Sequence, residues 1–160
     1  MERIRRGHFA VFTRNHRQHL DEAVELCAAD RTRRVTFRAA NRWTSAERSV
    51  SPSSPVPIYI AVVGGSGTVE YVADLCDVKT HPFRGDPKTE ELLGVTTTST
   101  KDEGLWEQYE RKVKTLYCVM RCRKLARPFP LSQLKKADGG QPLSADYHYS
   151  YALVMPAEID

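Results

Sequence analysis

The stretch IYIAVVGGSGTVEYVADLCDV, residues 58–78, decides the fold. Its two halves, 58–63 and 68–78, are rich in β-branched and aromatic residues, which suit a pleated surface. Gly64, Gly65, Ser66 and Gly67 join them. A glycine cluster after an apolar run is also where a phosphate-binding loop would stand. Such a loop needs backbone amides around the phosphate, a helix N-terminus behind them, and a lysine and hydroxyl at set offsets. Here no G-K-[ST] follows, the G-x-G-x-x-G pattern fails at Glu70, and the continuation is β-rich. The glycines are therefore expected to use their tolerance of positive φ in a hairpin turn.

Upstream, GHFAVFT (residues 7–13) predicts a strand covered on both faces. Leu20, Ala23, Val24, Cys27 and Ala28 recur at helical spacing, with Asp21, Glu22 and Glu25 opposite and near the start, where the helix dipole favours acids. A short strand is expected at Val35 to Phe37, followed by an arginine-rich connection carrying Trp43. The loop SVSPSSPVP (49–57) is too proline-rich for a central strand.

Downstream, residues 81–104 read as a long excursion with a helical patch at KTEELL, and Trp106, Tyr109 and Val113 as a helical turn. KTLYCVMRCRKL (114–125) predicts a long strand with Leu116, Cys118, Met120 and Cys122 on one face. That strand is expected to end at a proline, with a short helix from about Leu131 stopping at Asp138-Gly139-Gly140. HYSYALVM (148–155) predicts a last strand. Six strands, two or three short peripheral helices and no regular βαβ alternation make an α+β protein. The expected architecture is a small, mixed, mostly antiparallel β-barrel.

At 160 residues the chain is expected to form one domain, and 41% hydrophobic with 28% charged residues excludes wholesale disorder. No run approaches the ~18 apolar residues of a membrane span, and the basic N-terminus lacks the apolar core of a signal peptide. The expected location is cytoplasmic, without membrane partners. Cys27, Cys76, Cys118 and Cys122 form no C-x-x-C pair and are expected as reduced, mostly buried thiols. His16 and His19 form H-x-x-H without the H-E-x-x-H pattern, so they are expected as surface or cap residues rather than metal ligands. No metal, cofactor or catalytic motif is expected. The oligomeric state is left open.

Charge is unevenly spread. Residues 1–50 carry eleven Lys+Arg against six Asp+Glu, and residues 51–160 carry thirteen against fourteen. An arginine-rich half suits a polyanion, because guanidinium groups bind phosphate in bidentate geometry and release counterions. Arg31, Arg33, Arg34, Arg38, Arg42 and Arg48 surround Phe37 and Trp43, with Asn41 before the Arg-Trp pair. Arginine can neutralise phosphate, asparagine can read a base edge, and an aromatic face can stack on an extruded base. Trp43 is the expected stacking residue, Asn41 the edge reader, and Arg38 and Arg42 the phosphate contacts. The alternative is a core tryptophan flanked by solvated arginines.

YCVMRCRKLARPFPLSQLKK (117–136), with its long strand, basic turn and R-P-x-P-L leading into a short helix, resembles the PUA-like superfamily, especially its EVE and ASCH branches. The strand, turn and returning strand of 58–87, the opening strand and helix of HFAVFTRNHRQHLDEAVEL (8–26), and the loop FRAANRWTSAERS (37–49) follow the same order. The W-L-x-K-x-x-P opening of EVE domains and the G-x-K-x-x-E-x-R pattern of ASCH domains are missing. The resemblance implies a binder of DNA or RNA that admits a modified, flipped base into a barrel-side pocket. It places Thr13, Arg14 and Asn15, Asn41 to Trp43, and Val63, Gly64 and Gly65 around that pocket, with Trp106 and Tyr149 as further aromatic candidates. The alternative it implies is an ASCH-like hydrolase of RNA or a modified nucleoside, for which Lys79 and Glu70 match no recognisable motif.

Overall fold

The structure, a computed structural model, describes residues 9–99 and 113–159. In chain order its elements are β1 (Ala10–Asn15), α1 (Arg17–Ala29), β2 (Arg34–Ala39), α2 (Thr44–Ser49), β3 (Val56–Val62), β4 (Thr68–Thr80), α3 (Pro87–Leu93), β5 (Thr115–Pro130) and β6 (Tyr151–Val154). A single 3-10 turn, Leu131–Gln133, follows β5. The strands form one sheet in the order β2-β5-β4-β3-β1-β6, curled into a half-barrel with short helices around it. Only β1 and β3 run parallel; the other neighbours are antiparallel. No helix among the described residues is long and apolar enough to cross a membrane.

The hairpin expected at 58–78 is present, with Ala61 opposite Val69 and Ile60 opposite Tyr71. Both sheet faces are covered. Val11, Ile58, Ile60, Tyr71, Leu75, Tyr117 and Val119 pack with α1 residues Leu20, Ala23 and Cys27 on one side. Phe12, Tyr59, Ala61, Val72, Phe129 and Leu131 form a second cluster. The adjacent residues Val11 and Phe12 thus enter different cores, as the period of two requires.

Several expectations change. Cys122 does not share a face with Leu116, Cys118 and Met120: it joins the cluster of Tyr117 and Val119, while Leu116 and Cys118 pack with Cys76 and Leu92. Arg121 is the cause. It adopts φ 53, and the register against β4 shifts between Val72 and Asp74, so an extra residue in β5 reverses the alternation. Pro57 lies inside β3 rather than before it, because β1 pairs with β3 only from Ile58 onward and leaves that end of the strand uncovered. β5 ends at a proline as expected, at Pro130, and Pro128 is accommodated before it because β2 pairs only with residues 115–120. Asp138-Gly139-Gly140 ends no helix; it turns the chain, with Gly139 at φ 88 and Gly140 at φ 69.

α1 begins at Arg17, earlier than its apolar spacing suggests, so its first turn holds no acid. The acids serve tertiary contacts instead. Asp21 accepts from the Tyr71 hydroxyl at 2.5 Å, and Glu22 accepts from the backbone N–H groups of Thr98 and Ser99, at 2.5 and 3.0 Å. α2 was not anticipated. Its Glu47 accepts from both the Thr80 N–H and hydroxyl, at 2.5 and 2.8 Å, tying the arginine-rich connection to the end of β4. α3 starts on Asp86, whose carboxylate caps Thr89, with Pro87 at the first helical position.

Candidate nucleic-acid interface

β1 and β3 run parallel, so their C-terminal ends emerge side by side, and the β3–β4 turn continues from that edge. β6 lies on the other flank of β1, antiparallel, so its start reaches the same edge. Arg14, Val63 to Gly67, Ala145 to His148 and Ser150 consequently line one open cleft of about 510 Å³. The parallel register makes this junction, and nothing local in the sequence points to it.

Polar contacts hold the cleft walls. Thr13 donates its hydroxyl to the Ser150 carbonyl at 2.8 Å. The Arg14 guanidinium donates to the carbonyls of Tyr149, at 2.5 Å, and Tyr147, and lies 5.2 Å from the Phe12 ring centroid. Burial lowers the Arg14 pKa from its ordinary value, while the Tyr147 hydroxyl acts in the opposite direction. Two of the guanidinium's donors are thus used to pin residues 147–149, which leaves a positive charge in the wall beside carbonyls rather than carboxylates. At the turn, Gly64 and Gly67 adopt φ 74 and 73. A Cβ on Gly67 would lie 3.4 Å from the Ala145 carbonyl, an ordinary contact, so the positive φ rather than crowding favours glycine where the hairpin meets this segment. The rim is apolar and aromatic: Val63 is 46% and Tyr149 58% exposed, and the His148 ring lies 4.3 Å from Tyr149.

On the opposite face of the sheet from Arg14 and Tyr147 lies an aromatic stack. Trp43 is fully buried, with the Tyr117 ring on one face at 4.2 Å and 23°, and the Tyr151 ring on the other at 4.9 Å and 16°. Tyr151 follows cleft residue Ser150 and pairs with Thr13. Tyr117 accepts a 2.6 Å hydrogen bond from the Asn15 side chain. Burial pushes both phenols up, Tyr151 to about 12. Since Tyr117 belongs to β5 and Tyr151 to the edge strand β6, the indole spans two ends of the curled sheet. It closes by packing what the strands leave open.

This placement revises the expected site. Thr13, Arg14, Asn15, Val63, Gly64, Gly65 and Tyr149 come together, with Tyr147, His148 and Ser150 as members the sequence reading missed. Trp43 is not an exposed stacking platform, because both of its faces are already covered by Tyr117 and Tyr151. Asn41 and Arg42 are exposed on the β2–α2 connection, and the Asn41 carbonyl accepts a 2.6 Å hydrogen bond from Thr115. Arg38 is half-buried near the end of β2. The arginine cluster is divided, since Arg34 and Arg38 stand at opposite ends of one strand, ~13 Å apart at its ordinary rise. Arg34 is moreover paired with Glu91 at 3.3 Å. Trp106 lies outside the described residues.

Other groups do not converge on this cleft. His19 is buried rather than superficial, its Nδ1 2.8 Å from the Ser99 hydroxyl. All four cysteines are free and buried. Among the described residues no group of three or more His, Cys, Asp or Glu side chains is arranged to hold a metal. Glu70 and Lys79 stand near opposite ends of β4, ~30 Å apart at the usual strand rise, and Glu70 is paired with Arg17 at 3.0 Å. No protein-family model, curated protein or solved structure matches this chain.

Proposed function

We propose that this protein is a nucleic-acid-binding module of the PUA-like type that admits one unpaired, modified base at the β3–β4 edge of its half-barrel. The observation that carries this reading is the convergence of Arg14, the glycine turn, residues 145–148 and Ser150 on one open cleft, with exposed Tyr149 between two of its lining residues. Exposed aromatic faces accept bases through stacking worth about 1–3 kcal/mol each, and a basic surface supplies the sequence-independent attraction to phosphate. Arg14 brings a guanidinium to the cleft wall, and the sequence of residues 1–50 carries the positive balance.

The test is fluorescence anisotropy with short single-stranded oligonucleotides of DNA and RNA, methylated and unmethylated, titrated over a range of salt. Binding should weaken linearly in log–log form with salt, favour a methylated base, and fall ~10-fold or more in Tyr149→Ala, as expected for the loss of one stacked base. No binding to any oligonucleotide at low salt sinks the proposal. Salt-dependent binding without preference for methylation, and unmoved by Tyr149→Ala, leaves only generic phosphate attraction and refutes the base-reading part.

A further inference from the structure

Beside the bulge in β5, Val72 of β4 stands directly opposite Arg123, and Tyr59 of β3 stands opposite Val72. Directly opposed residues share a face of the sheet, so these three form one row, ~10 Å long at the usual strand spacing. The row runs from a buried aromatic ring to an exposed guanidinium. Pro57 and Asp74 are the next opposed pair on the same face. Ala157 and Ile159 wall the groove, packed against the cluster that holds Tyr59 and Val72. The Tyr59 hydroxyl fixes that wall, accepting from the Ala157 N–H at 2.7 Å and donating to the Ala157 carbonyl at 3.3 Å. All of these residues line a cavity of about 610 Å³, larger than the cleft at the β3–β4 turn and within the size range of small-molecule sites. The cavity also reaches Ala28 and Arg31 at the end of α1, where β5 has lost its neighbour β2.

The charge of this cavity is one-sided. Among its lining residues Asp74 is the sole carboxylate, and Arg121 holds it, the Nε donating to Asp74 at 2.6 Å. Arg121 does so from φ 53, a left-handed conformation that a residue with a Cβ keeps only where its surroundings enforce it. With Asp74 neutralised, the guanidinium groups of Arg31 and Arg123 remain. Neither has a carboxylate partner among the described residues, whereas Arg17 and Arg34 are paired with Glu70 and Glu91. We propose that this cavity binds a small carboxylate with an extended apolar body, the body lying over Pro57, Val72 and Ile159 and the carboxylate meeting Arg123, with Arg31 adding positive charge at the rim. A guanidinium offers paired N–H groups that match a carboxylate, and the apolar floor supplies the burial that an inorganic anion could not use. A neutral apolar molecule would cover the floor but leave the guanidinium desolvated without a partner, so the site requires both parts. The proposal is independent of the nucleic-acid reading, because this cavity and the β3–β4 cleft have no lining residue in common.

The test is amide NMR of the full, isotope-labelled chain titrated with decanoate, with decanol, which has the body without the charge, and with acetate, which has the charge without the body. Decanoate should produce saturable shifts at the amides of Val72, Arg123 and Ile159 and leave those of Gly64 to Gly67 in place. Decanol and acetate should each bind at least ~10-fold more weakly, and Arg123→Glu should weaken decanoate by a similar factor, as expected for the loss of a charged hydrogen bond. Lys136→Glu makes the same change of charge at an exposed lysine that does not line the cavity, and should alter decanoate binding less than about twofold. Both replaced side chains are exposed, so each variant should keep the parent spectrum away from the substitution. Absence of saturable shifts at the three amides with decanoate overturns the proposal. Equal affinity for decanol, or an Arg123→Glu variant that binds decanoate as well as the parent, overturns it too. Oligonucleotide binding that persists after any of these failures leaves the nucleic-acid reading standing.

Discussion

Thr115→Val removes one hydroxyl from a fully buried site while nearly preserving side-chain shape. That hydroxyl fastens the Asn41–Trp43 connection at both ends: it accepts from the Trp43 N–H and donates to the Asn41 carbonyl. After the substitution the Trp43 N–H is left buried without an acceptor, which costs about 1–3 kcal/mol. Asn41 is exposed and its carbonyl can turn to water, so that half of the loss is nearer 1 kcal/mol. The sum is about 2–4 kcal/mol. For a chain of 160 residues this lowers the thermal midpoint by roughly 5–15 °C, at ~2–4 °C per kcal/mol. Urea denaturation followed by circular dichroism should show an earlier midpoint with an unchanged m-value. Thr115→Ser, which keeps the hydroxyl and drops only a methyl group, should retain more than half of the lost stability. A valine variant within ~0.5 kcal/mol of the parent, or a serine variant as unstable as the valine one, would refute the assignment of the hydroxyl as the fastening.

Three further outcomes follow from particular contacts. Arg14→Gln frees the carbonyls of Tyr147 and Tyr149 and should cost about 1–2 kcal/mol; hydrogen exchange should quicken at the amides of 145–150 and stay unchanged in β4 and β5. Lys88→Met leaves the Asp77 carboxylate, 8% exposed, with the Val78 N–H but without the ammonium now 2.6 Å away. Because Lys88 itself is partly exposed, the expected loss is about 2 kcal/mol, between surface and buried pairs, read by urea denaturation. Burial acts to raise the Glu22 pKa, but the N–H groups of Ser99 and Thr98 outweigh it and hold it below its ordinary 4.5. A carboxyl lowered on folding contributes stability that is present above the unfolded value and is lost as pH falls through the folded one. The stability difference between parent and Glu22→Gln should therefore be constant near neutrality and shrink below about pH 4.5; a difference that does not change with pH contradicts the assignment.

Local chemistry determined much of this protein. The β-branched runs of 58–63 and 68–78 and the glycines between them are enough to specify a hairpin, because strand preference and positive-φ tolerance act over a few residues. The apolar spacing from Leu20 to Ala28 determined α1, and the helical patch at KTEELL is α3. Of the site, Thr13 to Asn15, Val63 to Gly65 and Tyr149 were within reach of the sequence. The rest required the tertiary structure. The position of Arg121 at φ 53 reverses the faces of β5, and a single-residue shift of register has no local signature when both faces of a strand are buried. Pro57 was misread because only the pairing of the neighbouring strands shows which part of β3 lacks a partner. Trp43 is the sharpest instance. Its arginine-rich surroundings left a stacking residue and a core tryptophan both open; it is the core residue, and its burial is set by Tyr117 and Tyr151, which stand 74 and 108 residues further along the chain. Those rings meet it because β6 pairs at one edge of the sheet while β5 lies at the other side and the whole curls. That closure is a long-range event, and composition around residue 43 carries no trace of it.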